Sequence, residues 1–312
     1  MTKTDPSTDL APLTESVVTG LPPEQIREQR RRRNPFRKPV TSILRHVFLI
    51  AAAVLMLYPV IWMVVSSFRP TDLIFREAGL VFDSFEISNY VDGWNALTYP
   101  FNVYLLNSGL VVIGSIIGNL VSCSLAAYAF ARLEFTGKKF WFAIMLLSIM
   151  LPIHVIIVPQ YVLFSQLGWV NTFLPLIVPK LLATDAFFIF LMVQFIRGIP
   201  RELDEAARID GAGHPRIFLQ IILPLMVPAL ATVTIFTFIW TWNDFFGPLL
   251  YLKDPDLYTL PIALRLFVDQ SSSADYGAQM AMAVLALIPV FLFFLIFQRY
   301  LVDGVATQGL KG

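Results

Sequence analysis

Residues 140–179 read FWFAIMLLSIMLPIHVIIVPQYVLFSQLGWVNTFLPLIVP, forty positions without one Asp, Glu, Lys or Arg. As a single helix this stretch would be about 60 Å long at 1.5 Å per residue. A bilayer's hydrocarbon core is about 30 Å thick, so the stretch is expected to hold two spans rather than one. Gln166, Gly168, Asn171 and Pro175 are turn-forming residues and place a short surface loop over 165–173. The two spans are then 140–164 and 174–196.

Working outward, four more apolar runs have the length to cross a membrane: 47–68, 104–130, 225–246 and 276–300. The whole chain fits this reading. Of its 312 residues 56% are hydrophobic and 14% charged, and mean hydropathy is +0.67, outside the range of ordinary soluble domains. The expected fold is an all-α integral membrane protein with six transmembrane helices in one domain, 41–312. Residues 1–40 are polar and end in the run Arg30, Arg31, Arg32 and Arg33; they read as a disordered basic tail. The first apolar run is too long for the core of a signal peptide and has no small-residue cleavage site after it.

The connecting segments test the span count, because Lys and Arg collect on the cytoplasmic side. One side holds the basic residues of 27–45, then Arg132, Lys138 and Lys139, then Arg197, Arg201, Arg208 and Arg216, and finally Arg299 and Lys311. The other side holds Arg69, Arg76, Lys180, Lys253 and Arg265. Both termini are therefore expected in the cytoplasm. The formal charge of +1 gives no reason to expect nucleic acid as a partner. A lone cysteine, Cys123, excludes an intrachain disulfide and a cysteine metal cluster.

Segment 197–224 is too polar for lipid. Pro200 suits a first helical turn, and Glu202, Asp204 and Glu205 follow where a helix dipole favours anions. Gly211 stands where a left-handed cap would end that helix. A second helix can start at Pro215, with Ile217, Phe218, Ile221 and Ile222 as its apolar face and Pro224 as its end. Two short helices joined at a glycine make a rigid knob. By physics alone it is either a docking element or an amphipathic loop at the membrane surface.

The spacing adds a resemblance. Glu205, Ala206, Ala207, Gly211, Ile221, Leu223 and Pro224 follow the pattern E-A-A-x3-G-x9-I-x-L-P, which resembles the EAA motif of permease subunits of binding-protein-dependent ABC importers. The stretches around Tyr128 to Lys138, around Trp242 to Leu249, and Gly309 to Gly312 are similar to the carbohydrate-importer, MalG-like branch. The resemblance implies that 197–224 is a coupling loop seated in a groove of a cytoplasmic ATPase, with Glu205 as its anchoring charge. It implies a second homologous permease subunit, an ATPase dimer and an extracytoplasmic sugar-binding protein as partners, in the bacterial cytoplasmic membrane. No G-x-x-x-x-G-K-[ST] sequence occurs, so this chain is expected to bind no cofactor and to leave ATP and Mg²⁺ to the ATPase.

Ionisable residues within spans are functional candidates, since each costs about 3 kcal/mol or more at membrane depth. Asp185 is expected to pair with Lys180. Trp242, Asn243 and Asp244 offer a sugar an aromatic face beside hydrogen-bonding groups, and Asn107 could line the same pathway. The same triplet also fits an interfacial aromatic belt ending a helix. His154 has no matched Ser, Cys or metal-ligand cluster and is read as packing. An intramembrane enzyme would need paired reactive residues, such as G-x-S-x-G with a histidine, which are lacking. An importer of another polar solute, such as a glycerol phosphate or an amino acid, is the alternative to a sugar permease.

Overall fold

The computed structural model describes residues 37–76, 79, 85–269 and 275–309, and among them every regular element is helical. The side chains of 37–41, 153, 154, 269 and 300–309 lie outside that description, as do nearly all of the expected tail and the packing of His154. In chain order the helices are α1 (Arg37–Ser66), α2 (Ser88–Asn95), α3 (Phe101–Arg132), α4 (Lys138–Ile149), α5 (Ile153–Gln166), α6 (Leu174–Leu181) and α7 (Ala186–Arg197). They continue with α8 (Glu202–Ile209), α9 (His214–Leu225), α10 (Val227–Trp242), α11 (Phe246–Tyr251), α12 (Leu260–Asp269) and α13 (Tyr276–Gly309).

Among the described residues, four stretches are each long and apolar enough to cross a membrane: Ser42–Ser66, Phe101–Arg132, Leu174–Arg197 and Tyr276–Arg299. They overlap the expected spans 47–68, 104–130, 174–196 and 276–300. The pair α9 and α10 meets the same test together but is bent by 74°, so of the expected span 225–246 only Val227–Trp242 forms one straight helix, α10. The continuous helix expected over 140–164 is instead two, α4 and α5, with a break at Met150–Pro152. Proline explains the break: Pro152 has no N–H to donate, and its ring collides with the carbonyl four residues back. The loop expected over 165–173 is present, with Gly168 at φ 70 and Asn171 at φ 65.

The chain divides into two units, Met1–Trp62 and Met63–Gly312. In the first, the described residues form the greater part of α1. The second is organised around α3, which packs against α6, α7 and α10, while α13 packs against α2, α10 and α12. The approach of α6 to α3 depends on two glycines one turn apart. A Cβ at Gly114 would sit 2.9 Å from Ile177, and one at Gly118 would sit 3.0 Å from the Lys180 backbone. Small residues at this spacing let helix backbones pack closely where no hydrophobic effect draws helices together.

Three buried clusters follow from this arrangement. One joins α3, α7 and α9 through Cys123, Tyr128, Phe188, Met192, Ile217 and Ile222. The next joins α3, α10, α12 and α13 through Phe101, Tyr104, Phe238, Trp242, Leu260 and Met282. The third joins Val111, Phe164, Leu176 and Tyr251. Cys123 is fully buried, as its place in an apolar run suggests.

Candidate coupling surface and solute-facing cluster

Helix α8 begins just after Pro200 and carries Glu202, Asp204 and Glu205 in its first turn. It ends in a double backbone lock. The N–H of Ala212 donates to the Ala207 carbonyl at 2.9 Å, and that of Gly211 donates to Arg208 at 3.0 Å. This is a Schellman ending, which needs a left-handed residue at the position Gly211 occupies. Gly211 has φ 80.

Two adjacent acids of α8 have opposite fates. Asp204 is 5% exposed, and its Oδ2 lies 2.9 Å from Arg132 Nε. The angle is poor for a hydrogen bond, so this is a charge contact. Arg132 also donates from Nη2 to the Ile199 carbonyl at 2.7 Å, which ties the end of α3 to the entry of α8. Glu205 and Ala206 are exposed, and Ala207 is half-buried. The charge fixed within this chain is therefore Asp204, and Glu205 faces outward. Beside it Ile209 is 88% exposed, an apolar residue at the tip of a polar loop.

Helix α9 places Ile217, Phe218 and Ile222 in the first cluster, with Phe218 against the Tyr128 ring at 5.2 Å. Ile221 and Leu223 are half-buried and Pro224 is exposed. The helix starts one residue before Pro215 and runs past Pro224 to Leu225, so Pro224 does not end it. Its backbone widens to a π-turn over Phe218–Ile222, two residues before Pro224, which cannot donate to a carbonyl four residues back.

The other candidates lie at the opposite end of α10. Trp242 is buried, stacked on Phe238 at 5.6 Å. Asn243 is exposed and donates to the Ile239 carbonyl at 2.8 Å, closing the helix end. Asp244 accepts from the Gly247 N–H at 3.1 Å, in the turn that leads into α11. Asn107 stands elsewhere, donating to the carbonyls of Asp256 at 2.7 Å and Tyr258 at 3.0 Å. The structure thus joins Asn243 and Asp244 in one turn, and it seats Trp242 in the core and Asn107 under the 253–259 loop.

Two features of this region were not read from the sequence. The indole open to the surroundings is Trp240, 50% exposed and stacked on Phe188 at 5.2 Å. The second is the interruption between α6 and α7 at 182–185, where Ala183 adopts φ 56. Lys180 Nζ reaches both Asp185 oxygens there, at 3.0 and 3.2 Å, which is the expected pair. Ser122 donates to the Lys180 carbonyl at 2.6 Å, and Asn119 donates to Thr237 at 3.1 Å. Irregular backbone at membrane depth is tolerated where protein or a water-filled cavity receives its polar groups.

The family model described as "Binding-protein-dependent transport system inner membrane component" matches residues 118–307. The chain is 34% identical over 275 residues to the trehalose/maltose transport system permease protein MalG of Thermococcus litoralis, covering 87% of this chain and 99% of that one. It is 32% identical over 278 residues to the arabinooligosaccharides transport system permease protein AraQ of Halalkalibacterium halodurans, covering 88% and 98%. Among solved structures, a bacterial ABC transporter involved in import of the acidic polysaccharide alginate superposes with a TM-score of 0.75 at 22% identity, covering 85% of this chain and 97% of that one. The matched region contains the α8–α9 knob, the interruption at 182–185 and the end of α10, and this chain belongs to the family of binding-protein-dependent transport system inner membrane components.

Proposed function

We propose that this chain is a membrane-spanning subunit of an ATP-driven importer that carries a sugar delivered by an extracytoplasmic binding protein. The observation that carries the reading is the α8–α9 knob: an exposed Glu205–Ala206 edge on a helix locked by Asp204 and by the Gly211 ending. The chain is a permease and not an enzyme. ATP and Mg²⁺ belong to a cytoplasmic ATPase dimer whose groove receives the knob. A second homologous permease completes the pore, in the bacterial cytoplasmic membrane with both termini inside.

In this reading ATPase closure moves the knob as a rigid body, and the two permeases rock around a central cavity. The sugar passes Asn243, Asp244 and the open face of Trp240. Sugars present hydroxyls at the ring edge and C–H patches on the faces, which fits polar groups placed beside an indole. The names of MalG and AraQ support a sugar as the solute.

The test is reconstitution of the complex in proteoliposomes, with uptake followed for a panel of sugars, a glycerol phosphate and amino acids. Sugar uptake that requires both ATP and the binding protein is the expected result. Uptake confined to a glycerol phosphate or an amino acid would refute the sugar assignment, and uptake independent of ATP would refute the coupling role.

A further inference from the structure

At the entry to the knob, two neighbouring cavities of about 640 and 610 Å³ share Phe130, Lys138 and Arg197. Their position follows from where apolar sequence stops. Arg132 is the last residue of α3, Lys138 the first of α4 and Arg197 the last of α7. Three apolar helix ends, each carrying a basic residue, therefore converge on one hollow.

The charges in this hollow are not all neutralised within the chain. Arg132 is paired with Asp204, and Lys138 Nζ with Glu134 at 3.1 Å. Arg197 lies over the Phe142 ring at 5.2 Å. Neither it, Arg201 nor Lys139 forms an ion pair among the described residues. Arg201 lines the first cavity and Lys139 the second. The second cavity is the more apolar and is bordered by Phe135, Phe140 and Phe142. Phe140 is 63% exposed, and its neighbour Trp141 54%. An exposed Trp such as Trp141 is typical of the boundary of lipid and water.

We propose that this hollow binds the headgroup of an anionic phospholipid from the leaflet on the knob's side. Arg197 and Arg201 grip the phosphate, and the acyl chains leave past Phe140. Guanidinium groups hold phosphate through paired, charge-assisted hydrogen bonds, and basic pockets between membrane helices suit anionic headgroups. The cavity wall includes Ile199, Pro200 and Glu202, the entry to α8, so an occupied site would brace the helix that meets the ATPase.

The experiment is native mass spectrometry of the full chain, purified with its companion permease and titrated with phosphatidylglycerol or phosphatidylcholine. The wild type is expected to retain phosphatidylglycerol in preference to phosphatidylcholine. Arg197→Gln and Arg201→Gln should each weaken retention about five-fold, from the usual contribution of a basic residue near a membrane surface. Arg216→Gln, which removes a cation bonded to Gln220 on the same loop and outside both cavities, should leave retention unchanged. Equal retention of the two lipids, or no loss in either arginine variant, would overturn the proposal. Displacement of the lipid by millimolar inorganic phosphate would make this a free-anion site, and displacement by the ATPase would make it a protein interface. Either result also overturns it.

Discussion

Replacing Asp204 with alanine should release α8 while leaving the apolar spans folded. Its carboxylate and the Arg132 guanidinium are 8% and 3% exposed and 2.9 Å apart. At that distance two unit charges attract by about 6 kcal/mol at an effective dielectric of about 20. Breaking such a pair from one side costs about 3 to 5 kcal/mol, because the remaining charge stays buried without a partner. Arg132 keeps its bond to the Ile199 carbonyl, so the lower end applies, and about 3 kcal/mol corresponds to roughly a hundred-fold change in an opening equilibrium. The apolar clusters do not depend on the pair, so the opening is local to α8. Hydrogen exchange on the purified complex reads it directly: amides of 205–212 should exchange about a hundred-fold faster in Asp204→Ala. Binding-protein-stimulated ATP hydrolysis should fall in parallel. The double variant Arg132→Met with Asp204→Leu should restore most of the protection, since removing both charges leaves neither one orphaned. Wild-type exchange in Asp204→Ala would refute the view that this pair holds the helix.

Three further outcomes follow from the same geometry. A Cβ at Gly211 would meet nothing within 4 Å, so the penalty there is torsional: Gly211→Asn should be tolerated, whereas Gly211→Val should lose at least about 1 kcal/mol and uncouple hydrolysis from uptake. Glu205→Lys should insert and pack normally, because Glu205 is exposed, but should co-purify poorly with the ATPase; undiminished co-purification would remove Glu205 from the interface. In a Cys123-free background, single cysteines at Asp92 and Arg208 should react differently with an impermeant maleimide in intact cells, and equal labelling would contradict placing these loops on opposite sides.

Much of this was legible in the sequence because its signals were local. Charge-free runs mark apolar helices whatever they pack against, and Pro200, three early acids and Gly211 define α8 without tertiary information. What could not be read depends on which face of a helix meets a neighbour. Trp240 and Trp242 are two positions apart and so point to different sides of α10. That helix is apolar all round, which gives no hint that Trp242 is the buried one. Asp204 and Glu205 are chemically alike, and the end of α3 decides which of them is anchored. Pro152 was visible, but uninterrupted hydropathy on either side of it masked a break that backbone sterics impose.

The 74° bend between α9 and α10 has a mechanical meaning. Its corner is Met226, fully enclosed by other side chains, and opening the angle would pull that residue from a close-packed site and leave a void behind. An elbow stiffened in this way works as a bell crank. Thrust applied along one arm leaves along the other nearly at right angles, with little lost to bending. In the proposed rocking, a small tilt of the loop at one end would become a sweep of the far end of α10, where Asn243 and the exposed face of Trp240 stand.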